Sequence, residues 1–324
     1  MANRKRETLD FIGNRRKQTD RFAQWIVQQV LHSEVHNVAA QNNLSDEEEE
    51  SMVQYISKKK LQINLSCLKR LGLDEIALRK GQGDYIVVLV DLEQKVPIGF
   101  APSRKQADIS KVLEAWGEAT LRQIVEVSID LSGNYKGLVD KLLPNAQVVA
   151  DRFHVMKLVN QDLDAARKAL GKANQEQTNE VEKRRMIEAV LKQSKYALLK
   201  PEENLTLKQK AKLEDIRKVL PSLAQMHQHK EAFRAIFEQA EDWNDGSFQL
   251  LDWLAEAQDA FKESVGTICR WFGEVTAYFD NRTTSGAVEG INNKLKLIKR
   301  SGYGFRNFDN FQLRCLICWH LAIG

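Results

Sequence analysis

The stretch IVEVSIDLSGNYKGLVDKLLPNAQVVADRFHVMK (124–157) decides how the rest of the chain is read. It holds two short apolar runs, IVEVSI (124–129) and AQVVA (146–150). Each runs directly into an aspartate, Asp130 and Asp151. Short runs rich in β-branched residues and bounded by turn signals read as buried strands. Such runs suit a sheet covered on both faces. An acid at the C-terminal end of a buried strand stands where open α/β sheets place their chemistry. Aspartate also favours turns in its own right, so the position alone leaves both readings open. Between the two runs, a helix over 134–142 is stopped by Pro144 and Asn145.

Toward the N-terminus the strand pattern continues. LGLDEIAL (71–78), DYIVVLVDL (84–92) and VPIGFAPS (96–103) are apolar runs parted by the turn-like GQG (81–83) and EQK (93–95). Short connections imply antiparallel hairpins. Asp74 and Glu75 interrupt the first run. A buried acid is costly unless paired or bound to a metal, and a partly exposed edge position is the plain alternative. A helix over 104–119 with Ile109, Val112, Leu113 and Trp116 on one face follows. The order is β-β-β-α-β-α-β, a mixed sheet with right-handed crossovers. This is the order of the RNase H-like fold, in which the first and fourth strands are neighbours and Asp74 would approach Asp130.

Two helical regions flank this core. Residues 19–60 read as three short helices, with Phe22, Trp25, Ile26, Val30 and Leu31 at helix spacing and Ser45 as a cap. They resemble a helix-turn-helix, whose second helix reads DNA in many proteins. Here that helix opens with Asp46 to Glu50, a poor approach to phosphates, so a plain packing module stays open beside a DNA reader. Residues 152–274 read as an all-α insertion broken near Pro201, Pro221 and Gly246. Trp243, Trp253 and Trp271 within it are expected to pack rather than stack on bases. After it, Ser285 can cap a helix to Lys299 with Val288, Ile291, Leu295 and Ile298 as its buried stripe. Glu289, Asn292, Asn293 and Lys296 then share a second face, either catalytic or simply solvated. The expected domains are 1–66 (N-terminal helices), 67–160 (core, first part), 161–278 (insertion) and 279–324 (core, last part).

Composition narrows the class. Apolar residues make up 43% and charged residues 28% of 324, ordinary for a globular chain able to bury a core. Cys67, Cys269, Cys315 and Cys318 are too few for a disulfide framework and suggest a reducing compartment. Cys315 and Cys318 fall in an apolar helix and read as core thiols rather than metal ligands with His320. With no signal peptide and no run long enough to cross a bilayer, a cytoplasmic protein is expected. The net charge of +4 hides basic clusters at 3–6, 14–17 and 294–300.

Three pieces carry a family resemblance: LGLDEIALRKGQGDYIVVLVDL, the block SIDLSGNYKGLVDKLLPNAQVVADRFHVMK, and TSGAVEGINNKLKLIKRSGYGFRNFDNF. With them the chain resembles DDE transposases of the ISL-three type of bacterial insertion sequence. The resemblance implies that Asp74, Asp130 and Glu289 are catalytic, metal-binding acids. It assigns Asp130 as the acid shared between two ions and makes Asp151 and His154 an accessory Asp-x-x-His pair. It implies Mg²⁺, or Mn²⁺, as cofactor in two ions. The substrates would be the terminal inverted repeats of an element and target DNA, worked on by a nucleoid-associated multimer. Lys294, Lys296, Lys299 and Arg300 would hold phosphates, with Asn292, Asn293 and Arg306 as further DNA-binding residues. Family members usually carry a Cys-rich zinc segment ahead of the helix-turn-helix. No cysteine precedes Cys67, so a truncated copy or a shorter branch is expected. The alternatives to a transposase are an inactive DNA-binding remnant and a nuclease of the same fold.

Overall fold

The computed structural model describes residues 11–12, 17–33, 35–78, 84–177, 181–283, 286–301, 305 and 307–321. Among them the N-terminal region forms α1 (Asp20–His32), α2 (Val35–Gln41) and α3 (Asp46–Lys60). Thr19 caps α1 by accepting the Phe22 amide, at 3.2 Å. Ser45 and Glu48 form a reciprocal capping box on α3. Four acids in the first turn of α3 and three lysines in its last complement the helix dipole. Ile26, Val27, Val30, Val38, Met52 and Ile56 pack together with Ile317 from the far end of the chain. Trp25, expected on the apolar face, is instead 47% exposed.

β1 (Arg70–Ala77), β2 (Tyr85–Asp91) and β3 (Val96–Ala101) make two antiparallel pairs, with Asp74 opposite Val88. The five strands run in the order β3-β2-β1-β4-β5, where β4 is Glu126–Ile129 and β5 is Gln147–Ala150. β1 is therefore central, which removes the edge reading for Asp74 and Glu75. The GQG turn at 81–83 lies outside the described residues. The single helix expected over 104–119 is two, α4 (Gln106–Glu114) and α5 (Glu118–Gln123). Gly117 lies between them at φ +84, a backbone conformation that only glycine adopts readily, and Trp116 falls in the break. α6 (Gly133–Leu142) links β4 to β5.

The chain divides into two compact units. The first comprises Met1–Val127, Asn134–Ala146 and Ser285–Gly324; the second comprises Ser128–Gly133 and Gln147–Thr284. In the second, α7 (Arg152–Gln177) is followed by α8 (Val181–Leu191), α9 (Lys195–Leu199), a 3₁₀ turn at Glu202–Asn204, α10 (Leu207–Val219), α11 (Pro221–Gln239), α12 (Trp243–Ala257), α13 (Lys262–Arg270), α14 (Phe272–Thr276) and α15 (Tyr278–Asn281). Val155, Val159 and Leu163 of α7 share its core with Phe233, Phe237, Trp253 and Val275. Trp253 packs as expected, at 3% exposure, whereas Trp243 is 43% exposed. The first unit closes with α16 (Gly286–Ser301) and α17 (Phe308–His320). No helix among the described residues is long and apolar enough to cross a membrane.

Candidate active site

The pleat of β1 sends neighbouring side chains to opposite faces, so Asp74 and Glu75 part company. Glu75 Oε1 accepts the Tyr135 hydroxyl at 2.5 Å, and Arg104 Nη1 lies 3.6 Å from Oε2. Asp74 points toward α16. Its Oδ1 accepts the Glu75 amide at 2.7 Å, and its Oδ2 accepts Asn292 Nδ2 at 2.5 Å.

α16 lies over β1, with Val288 near Gly72. A Cβ there would come within 2.8 Å of Leu92 Cδ2 and 3.6 Å of Val288 Cγ2. Val288, Ile291, Leu295 and Ile298 are all buried, against Ile76, Val88, Val90, Phe100 and Phe311. This is the stripe read from the sequence. Glu289 is exposed in the first turn of α16, and Asn292 lies one turn further on. The shared polar face expected for Glu289, Asn292, Asn293 and Lys296 is split. Asn293 and Lys296 are exposed, but Asn292 is turned inward at 8% exposure. Asn292 Oδ1 is buried and has no hydrogen-bond partner among the described residues.

The candidate phosphate-binding cations also divide. Lys294 Nζ donates to the Cys318 carbonyl at 3.2 Å and sits 4.0 Å from the centre of the Trp319 ring. Lys299 Nζ donates to the Ala77 carbonyl at 2.8 Å. Lys296 and Arg300 are exposed. Arg306 and the expected cap Ser285 lie outside the described residues.

In the second unit Asp130 follows β4 directly, half-buried, and its carbonyl accepts the Ser132 amide at 2.7 Å. The Asp151 amide donates to the Ile129 carbonyl at 2.7 Å, so β5 hands the chain to α7 beside the end of β4. Asp151 does two things there. Its Oδ1 accepts the Phe153 amide at 2.8 Å, which starts α7, and its Oδ2 stands 3.0 Å from His154 Nδ1. Asp151 therefore both opens the turn into α7 and lies within hydrogen-bond distance of His154. With Nδ1 donating to the carboxylate, His154 Nε2 is the acceptor face of the ring.

Among the described residues no group of three His, Cys, Asp or Glu side chains stands close enough to hold a metal ion. The donors are nonetheless of the right kind. Carboxylate and amide oxygens suit a hard dication, and the orphaned Asn292 Oδ1 beside Asp74 is a buried acceptor awaiting a donor. Cys315 is fully buried, and burial pushes its thiol well above its usual range. His320 Nε2 donates to the Pro97 carbonyl at 2.6 Å. Cys315 is thus a core thiol, and His320 is tied to the backbone of β3.

Comparison with known proteins identifies the family. The family described as transposase, of the DDE type and ISL3 class, matches residues 71–315. The transposase for insertion sequence element IS1001 of Bordetella parapertussis is 25% identical over 318 residues, covering 95% of this chain and 75% of the relative. The transposase for insertion sequence element IS1557, from two strains of Mycobacterium tuberculosis, is 29% identical over 258 residues, covering 74% of this chain. That match spans 57% of the relative's own length.

Proposed function

This chain belongs to the ISL3 class of DDE transposases, whose family matches residues 71–315, and from that premise we propose that it cuts the ends of an insertion sequence and joins them to target DNA. The RNase H-like core is part of the same reading. The observation that supports it most directly is Asp74 on a central strand, bonded to the helix that carries Glu289. Asp74, Asp130 and Glu289 are assigned as the catalytic acids.

Two Mg²⁺ ions, or Mn²⁺, held by these acids would supply charge neutralisation at the reacting phosphate and a more acidic attacking water. The remaining work falls to the chain's own groups. In the first displacement a water oxygen bonds to phosphorus and the P–O3′ bond breaks, freeing a 3′-hydroxyl at the element end. In the second, that hydroxyl bonds to a target phosphorus and displaces a target 3′-oxygen, which takes up a proton. Asn292 holds Asp74 in place. Asp151 orients His154, whose Nε2 can hold or pass a proton at the reacting oxygens. Lys296 and Arg300 grip flanking phosphates. The N-terminal helices at 1–66 are assigned to DNA recognition and the insertion at 161–278 to shaping the complex, with the protein acting as a homo-oligomer on paired ends.

The test is end cleavage with a labelled terminal repeat and Mg²⁺. Wild-type protein should cut; Asp130→Asn and Glu289→Gln should not, while folding normally. Retained cleavage in either variant refutes the residue assignment. DNA binding without cleavage by the wild type at every end tested refutes the activity.

A further inference from the structure

The residues of α16 that the resemblance groups as DNA contacts are not equivalent, and Asn292 stands apart. It is more than nine-tenths buried, its neighbour Asn293 is exposed, and its Nδ2 is bonded to Asp74 Oδ2 at 2.5 Å. A buried side chain cannot lie along a DNA backbone. A buried amide is also an expensive choice for packing alone, since leucine of nearly the same shape would leave nothing unsatisfied. Here half of the amide is spent on Asp74. The other half, Oδ1, is shielded from water without a donor among the described residues. An unmade hydrogen bond of this kind in a native protein calls for an explanation.

We propose that Asn292 is a positioning residue of the cleavage centre. Its N–H locks the Asp74 carboxylate in one orientation for divalent-cation binding, and its Oδ1 accepts a hydrogen bond from water when the cation is present. The inference rests on the transposase reading for its purpose but not for its measurement. The Glu75 amide and the Asn292 amide hold the two oxygens of Asp74 from two directions. A carboxylate held in this way loses less freedom when it takes up a cation. Partners that orient a metal-binding group commonly raise metal affinity by 10–100-fold. The same bond ties α16 to β1 one turn after Glu289, so it also sets the axial position of that carboxylate.

Two variants of the full chain test this by calorimetric titration with Mn²⁺ in the absence of DNA. Asn292→Leu keeps the branched heavy-atom outline and removes both polar atoms. It should raise the Kd for Mn²⁺ by about 10-fold or more, with element-end binding within about twofold of wild type. Asn292→Gln keeps the amide donor on a longer stem. Its Mn²⁺ Kd should lie between those of wild type and Asn292→Leu, a partial rescue that a merely structural role would not give. An unchanged Mn²⁺ Kd in Asn292→Leu overturns the proposal, whether DNA binding weakens, which would make Asn292 a DNA contact, or only Tm falls, which would make it structural. A wild-type chain that binds no Mn²⁺ overturns it as well. Wild type that binds Mn²⁺ with the expected variant pattern yet cuts no end overturns the transposase reading and leaves this one standing.

Discussion

At the scale of single residues, the pleat of β1 separates two adjacent acids that look alike in the sequence. Glu75 is occupied by Tyr135 and Arg104, whereas Asp74 faces α16. Asp74→Asn should reduce end cleavage to background. Glu75→Gln should retain it and cost about 1 kcal/mol of stability, read by denaturant unfolding. The lysines separate in the same manner. Lys296→Ala and Arg300→Ala should each reduce the salt slope of DNA binding by about 1, measured as affinity against salt concentration. Lys299→Ala should leave the slope alone and lower Tm, because its ammonium is bonded to Ala77. Asp74 was legible as a candidate because it interrupts an apolar run, whereas Glu289, on the polar face of its helix, was singled out by the family resemblance. The sequence pattern grouped Asn292 with Glu289, Asn293 and Lys296 on one face and left that face either catalytic or solvated, whereas Asn292 alone is buried. Helix periodicity says which residues share a face, but not that an aspartate 218 positions away turns one of them inward.

Elements were read well where local chemistry decides them. Ser45 and Glu48 announce the start of α3, and Ser45→Ala should destabilise the N-terminal helices by about 1 kcal/mol in thermal unfolding. The reading failed at 104–119, where apolar spacing continues past the point at which Gly117 turns the backbone. Nothing in the sequence marked Glu49 as buried either. It lies in the acidic first turn of α3, yet it is fully enclosed, and burial pushes its carboxyl from 4.5 up to about 8 against the pull of Arg314. Asp46 and Glu50 add to the rise. Arg314 itself donates to the Ser33 carbonyl at 2.7 Å. A carboxyl raised on folding contributes full stability below its unfolded value. That contribution is lost as pH rises from about 4.5 through about 8. Packing of α1–α3 should therefore loosen toward alkaline pH, and Glu49→Gln should abolish that slope in unfolding curves followed at several pH values.

At the scale of the whole molecule, the order of elements along the chain was legible from three apolar runs on short connections followed by two more set between helix periods, while the pairing of β1 beside β4 was expected only from the fold that this order resembles. The number and ends of the insertion helices were not legible, since one Lys-, Glu- and Leu-rich helix resembles the next. The second unit should respond to pH in the opposite sense to the first. His227 is 1% exposed, and burial, helped by the charge of Lys230, depresses it to about 4, with Glu231 and Glu202 opposing and Arg217 adding. A histidine depressed on folding contributes stability above its unfolded value near 6.5, and that contribution is lost as pH falls through about 4. Tryptophan fluorescence, to which Trp243, Trp253 and Trp271 of the second unit contribute alongside Trp25, Trp116 and Trp319 of the first, should report acid loosening between these values, and His227→Gln should flatten it.

The hydrogen bond from Gln147 to Asp280, at 3.3 Å, joins the entrance and exit of the helical insertion across 133 positions. Val149 and Ala150 of β5 share a core with Val275, Ala277 and Tyr278 near its end. The chain between Gln147 and Asp280 therefore leaves and returns at nearly one place. Loop-closure entropy depends on the length of flexible chain between two contacts, and a folded insertion contributes almost none. For the partners Asp74 and Asn292, a separation of 218 residues behaves as a much shorter tether once the insertion has folded. Helices can thus be gained or lost within it during evolution with little penalty to the pairing of β1 with α16, provided its two ends stay together.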